Sequence, residues 1–308
     1  MRFLHTIWEK EVNDMYGKLC KYEFKSIART LVPIYLAVIV VSLINAVSFG
    51  VNDLFDGGMA GYFSTAVGSA AVDTVLNILQ FIILFAYFGV MVALFVLTVI
   101  VIIQRFYKGL LCDEGYLMFT LPVKTWQLVA SKGTAAFVMA LVSGVTAMVS
   151  IFIMMCGAVG PVELCSEIFN SEFWNVILKE LNETFPRWPM YFSLYLAEGL
   201  IFLMVFGMKG LYQMYASMAL GHLANKHRIL MSVAAYLGIS MGLSFFGGTG
   251  LVVLDNAGIT NAFSSLFGTS AHAAMQVMYG GYMLWSLLQL AGFFFATDRI
   301  LEKRLNLE

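Results

Sequence analysis

From Thr74 to Gln104, about thirty residues, the chain carries no ionisable side chain, and comparable apolar runs lie on either side. A helix rising about 1.5 Å per residue needs about 20 apolar residues to cross about 30 Å of hydrocarbon. Each run is therefore long enough to span a bilayer and too long for a buried helix of a soluble domain. In lipid the backbone must satisfy its own hydrogen bonds, so the expected fold is all-α and polytopic. Composition agrees, with 60% hydrophobic and 12% charged residues, against about 25% charged in soluble domains.

Six transmembrane helices can be drawn: Leu31 to Gly50, Leu76 to Ile103, Thr134 to Val159, Tyr191 to Leu211, Ile229 to Gly247 and Gln276 to Ala296. No stretch of mixed polarity is left for a separate soluble domain, so 1–308 reads as one membrane domain. It comprises an interfacial segment (1–29), a six-span bundle (30–297) and a short tail (298–308). An even number of spans puts both termini on one side. Of 18 Lys and Arg, 15 fall on that side, Lys179 and Arg187 fall opposite, and Lys209 lies within a span. By the positive-inside rule the termini are expected in the cytoplasm.

Between Phe3 and Tyr22, Leu4, Trp8, Val12, Met15, Leu19 and Tyr22 recur at three- and four-residue spacing, with charges elsewhere on the wheel. That pattern predicts an amphipathic interfacial helix, its rings at the headgroups and its lysines near anionic lipid. A second amphipathic piece, Glu163 to Leu181, is expected in an outer connection, and short helices dipping into the outer leaflet are expected within Gly248 to Met275.

Motifs for catalysis are sparse. The chain has no G-x-x-x-x-G-K-[ST], hence no P-loop, and no H-E-x-x-H. Cys20, Cys112, Cys156 and Cys165 lack metal-ligand spacing and read as unpaired apolar residues. No metal site and no basic patch for nucleic acid is expected. Gly238-Ile-Ser240-Met-Gly242 matches G-x-S-x-G, but that motif needs a strand-to-helix turn and this one lies in the fifth span. Ala234, Gly238 and Gly242, four residues apart, instead predict a smooth stripe for helix packing, with that span enclosed by its neighbours. Ionisable residues at membrane depth, Glu198 and Lys209, are functional candidates. Eleven residues apart on one helix, they lie about 16 Å from one another and cannot pair.

The connection between spans two and three is the least ordinary stretch. Asp113 and Glu114 suit the start of a short helix that carries Tyr116 and Phe119 and ends at Pro122, and Thr125 is placed to cap the next helix. Exposed aromatic anchors on a short rigid helix suit a partner's socket.

This stretch, Asp113-Glu-Gly-Tyr-Leu through Thr120-Leu-Pro-Val to Ser131-Lys132, resembles the ABC-2-type permease subunits of bacterial ABC transporters, as found in Firmicutes. Lys21-Tyr-Glu23 through Arg29 and Pro33 is similar to the same family, as is Ala219-Leu-Gly221-His222 through Lys226 and Arg228. His222 stands where a glutamine is common in that family, and Lys124-Thr125 where a serine-containing pair is common. The resemblance implies the ABC-2 exporter fold, with a coupling helix at Asp113 to Leu121 and a second cytoplasmic contact at Gly221 to Arg228. Asp113, Glu114, Tyr116, Phe119, Pro122, His222 and Lys226 would then touch a separate cytoplasmic ABC ATPase. That partner would carry the ATP and Mg, and this chain no cofactor. The resemblance further implies a bacterial cell-membrane location and a dimer with itself or a second permease, exporting a hydrophobic or amphipathic substrate such as an antimicrobial peptide, drug or lipid. Two other readings stay open: an intramembrane serine hydrolase using Ser240 with His272, and a non-transporting sensor or assembly anchor.

Overall fold

The computed structural model describes residues 2–54, 69–112, 115, 117–118, 120, 123–160, 163, 166, 170–184, 188–224, 226–256 and 271–303. Among them the chain is helical: α1 (Arg2–Leu54), α2 (Ser69–Phe106), a π-helical turn (Tyr107–Leu111), α3 (Thr125–Val159), α4 (Ser171–Thr184), α5 (Trp188–His222), α6 (Arg228–Asn256) and α7 (Ala271–Lys303). Six of these elements are long and apolar enough to cross a membrane, over Met15–Phe49, Asn77–Leu111, Thr125–Val159, Tyr191–His222, Arg228–Gly247 and Gln276–Lys303. The six expected spans are all present. The helices overrun most of the expected boundaries because lipid penalises any unpaired backbone group more than it penalises extra helix.

One expectation, at the start of the chain, needs correction. The predicted surface helix is not separated from the first span, since α1 runs unbroken for 53 residues with Pro33 inside it. A proline removes one backbone hydrogen bond, here the one to the carbonyl of Arg29, and a single loss of that kind is tolerated where breaking the helix would free several. In the segment expected as a tail, α7 continues as far as Lys303. The expected outer-leaflet helices within Gly248 to Met275 fall largely on residues outside those described. The amphipathic piece expected after the third span is seen as α4.

The chain divides into two compact units. One contains Phe24–Ile102 and Val138–Ile177. In it α1 buries Leu31, Tyr35, Val38, Ser42 and Asn45, at alternating spacings of four and three residues that put them on one helical face. Against that face stand Tyr87, Leu94 and Thr98 of α2 and Ser143, Ala147 and Ser150 of α3, all buried. Lipid tails are as apolar as leucine, so close packing and interhelical hydrogen bonds do the work of association here. The Tyr35 hydroxyl lies 2.7 Å from Ser143 Oγ, which in turn lies 3.0 Å from Thr98 Oγ1. The Tyr87 hydroxyl lies 3.0 Å from Ser150 Oγ. At Gly157 the α3 backbone comes so close to Ala46 of α1 that a Cβ would overlap Ala46 backbone atoms. Tyr35→Phe is expected to cost about 1 kcal/mol, read by reversible unfolding in mixed micelles. A variant as stable as the parent would show that this hydrogen bond contributes nothing.

The other unit contains Met1–Glu23, Ile103–Phe137 and Leu178–Glu308. Its frame is α5, which contacts both α6 and α7. Tyr212 of α5 meets Phe294 of α7 edge-on at 5.4 Å, and Phe202 meets Tyr282 at 5.5 Å. The chain reverses between α5 and α6 within five residues. It does so with His227 at φ 55°, a left-handed conformation that histidine adopts more readily than most residues.

Candidate functional site

Glu23 of α1 and Lys132 of α3, 109 positions apart, form a buried ion pair with Lys132 Nζ 2.5 Å from Glu23 Oε1. Glu23 is 5% exposed and Lys132 4%. The second oxygen, Glu23 Oε2, faces Arg105 Nε of α2 at 3.7 Å, and the Arg105 side chain is about one-third exposed. One carboxylate thus serves two cations. Charges at this depth persist only when paired, so the three helices that supply them are held together.

Local structure explains how Lys132 gets there. Gly109, in the π-helical turn, lies under its side chain, and a Cβ on Gly109 would sit 2.6 Å from Nζ. Such turns occur most often at functional sites. Phe106, the residue before this turn, stacks on Tyr215 with ring centroids 3.9 Å apart and planes 12° apart. The Tyr215 hydroxyl donates to the Lys132 carbonyl at 3.4 Å. Both rings are fully buried. On the other side of α3, Thr134 Oγ1 lies 3.4 Å from the Tyr16 hydroxyl and 3.6 Å from Cys20 Sγ. Cys20 and Cys156 are free thiols.

The cluster adjoins the connection that the sequence singles out. Asp113, Glu114, Tyr116, Phe119, Leu121 and Pro122 lie outside the described residues. Of the others, Gly115, Leu117 and Met118 are helical, and Leu117 is 68% exposed. The Gly115 amide donates to Cys112 O at 2.7 Å, and a Cβ on Gly115 would lie 2.6 Å from Leu110 O, so only glycine fits this turn. Thr125 does not serve as the expected cap. Its hydroxyl donates to Asp298 Oδ1 of α7 at 2.7 Å, while Gln127 Oε1 accepts from the Lys124 amide at 3.3 Å.

The other predicted contact residues divide. Lys226 is exposed, as a surface contact requires. His222 is a correction: it is 7% exposed, edge-on to Tyr107 at 6.1 Å, and among the described residues neither ring nitrogen has a hydrogen-bond partner. It packs within the protein because the last turn of α5 folds back against α6, where a Cβ on Gly221 would overlap the Ser232 backbone.

Glu198 and Lys209 have different partners among the described residues. Glu198 Oε2 accepts from Gln276 Nε2 at 3.1 Å, and its backbone carbonyl accepts from the Tyr279 hydroxyl at 2.9 Å. Lys209 Nζ stands 4.8 Å above the Phe206 ring. The small-residue stripe lies open among the described residues. Ala234 and Gly238 are exposed, Gly242 is half-buried, and a Cβ on either glycine would meet nothing within 4 Å. The described residues therefore leave this face of the fifth span open; α6 turns Ser232 and Ser240 toward α5 instead. The Ser240 hydroxyl accepts from Gln213 Nε2 at 2.8 Å, a packing contact that leaves the proposed hydrolase without a described base, the His272 side chain lying outside the described residues.

The charge count places Lys132 and Arg105 only among the 15 cations on the side of the termini and does not foresee their union with Glu23. The signal available was that Lys21-Tyr-Glu23 and Ser131-Lys132 both belong to segments resembling one family. Among the described residues no group of His, Cys, Asp and Glu is arranged to hold a metal ion. Comparison with protein-family models, with curated proteins and with solved structures finds no match for this chain.

Proposed function

We propose that this chain is the membrane-spanning subunit of an ATP-driven exporter of the ABC-2 type. In this reading both termini and the connection between α2 and α3 face the cytoplasm of a bacterial cell. A separately encoded ATPase grips that connection, and the chain pairs with itself or with a sister permease. The observation that supports the reading most is the meeting, at one end of one unit, of residues from the segments that carry the family resemblance. Glu23 from the first is bonded to Lys132 from the second, and Gly115, also of the second, sits against Leu110. A brace of buried charge beside a loop helix with an apolar outer face, Leu117, suits a joint that must carry force. Closure of ATP-bound partner subunits would push on residues 113–121 and on the contact around Lys226. The spans would respond by rigid-body movement, alternating the pathway between the two faces.

The test is co-purification of the tagged chain, expressed with its genomic neighbours. An ATPase subunit should be captured in stoichiometric amount and largely lost, about tenfold or more, when Tyr116 and Phe119 are both replaced by Ala, since paired aromatic anchors each contribute about 2 kcal/mol or more. Absence of any ATPase, or capture indifferent to the two substitutions, would refute the assignment.

A further inference from the structure

Glu198 is the single acidic residue between Tyr191 and His222. It lies seven residues, about 10 Å, inside the start of the α5 span and is half-buried. A carboxylate at that depth needs a partner charge, yet its contact among the described residues is a neutral amide, that of Gln276. The rings around it are suited to a cation. Tyr191 and Tyr195 precede it by seven and three residues and so share its helical face. They stand edge-on to each other at 6.4 Å. From α7, Tyr279 bonds to the Glu198 carbonyl. One turn deeper, Phe202 packs on Tyr282, and apolar rings floor the site.

We infer that Glu198, with Tyr191, Tyr195 and Tyr279, forms a membrane-depth binding site for the cationic head of an amphipathic organic molecule, an ammonium whose apolar tail lies along the seam of α5 and α7. Aromatic faces attract a weakly hydrated organic cation, and the carboxylate supplies the counter-charge. The same helix already holds one cation in this way, Lys209 over Phe206. Farther along α7, on the face of Tyr279 and Tyr282, Ser286 Oγ and Gln289 Oε1 are buried without a hydrogen-bond partner among the described residues. Their unmet capacity offers polar parts of such a molecule, or water accompanying it, a place at a depth where lipid offers none. This deepens the exporter reading by naming a substrate class, and as an export substrate site it rests on that reading. The binding itself needs no ATPase.

The test uses the full chain in nanodiscs of phosphatidylcholine, titrated with decyltrimethylammonium by calorimetry against empty nanodiscs. Saturable binding is expected, about tenfold or more weaker in Glu198→Gln, which keeps an acceptor for Gln276 but removes the charge. Tyr195→Phe should bind as the parent does and Tyr195→Leu more weakly. Decyl sulfate and decanol should not compete. Gln276→Leu, which cuts the bond between α5 and α7 but leaves the charge, should lower thermal stability and retain binding. No saturable binding, binding indifferent to Glu198→Gln, equal competition by decanol, or loss in Gln276→Leu as great as in Glu198→Gln would each overturn the inference. Because no ATPase is present, a negative result here leaves the co-purification result standing, and the reverse is also true.

Discussion

Glu23→Gln should destabilise this protein by about 3–5 kcal/mol, the range for removing one partner of a buried ion pair. The substitution preserves shape and removes the charge that Lys132, 4% exposed, contacts at Glu23 Oε1. Arg105 loses its counter-charge as well, though at about one-third exposure it can turn to water. Lys132→Met should cost less, because Glu23 then keeps Arg105 nearby and the methionine fills the space of the lysine stem. The double variant Glu23→Leu/Lys132→Met should recover most of the loss, since well-packed apolar residues commonly replace a buried pair without penalty. Reversible unfolding in mixed micelles gives all three values. Should Glu23→Gln cost under 1 kcal/mol, or Lys132→Met cost more than it does, Glu23 is not the hub of the cluster.

The second large effect is at Gly221, where alanine should cost about 1–3 kcal/mol by overpacking. The added methyl would overlap the amide nitrogen and Cα of Ser232, and backbone cannot swing aside as a side chain does. At Gly238 the same substitution meets open space and should stabilise an isolated chain by up to about 1 kcal/mol through helix propensity. Opposite signs at two glycines of the same pair of helices are the expected outcome, read in the unfolding assay on monomeric protein. Equal tolerance at both positions would show that α5 and α6 are not in close contact at this turn.

The membrane-spanning architecture was legible because lipid imposes one requirement, an unbroken helix of sufficient apolar length, and the uncharged run from Thr74 to Gln104 meets it without help from any distant residue. Packing was legible where periodicity carries it: Leu31, Tyr35, Val38, Ser42 and Asn45 follow one face of α1. Legibility failed where two properties of one residue compete. Pro33 is a helix breaker in water and is accommodated in a long hydrophobic helix. Lys132 flanks an apolar run, as a solvated lysine would, and only the fold brings Glu23 to it across 109 positions. Small residues at 234, 238 and 242 promise a close neighbour, but sequence does not say whether that neighbour is in the same chain. Glu198 stood out by charge alone, whereas the tyrosines around it gain meaning only when α7 delivers Tyr279 to the same level.

The π-helical turn at Tyr107–Leu111 contains one more residue than an α-helical turn would. Because each residue of an α-helix advances its azimuth by about 100°, gain or loss of a single codon here re-aims whatever follows while the span before it stays in phase with its neighbours. Related chains can thus diverge in the bearing of the segment after Leu111 through single-residue insertions or deletions, leaving the apolar surface of α2 unaltered.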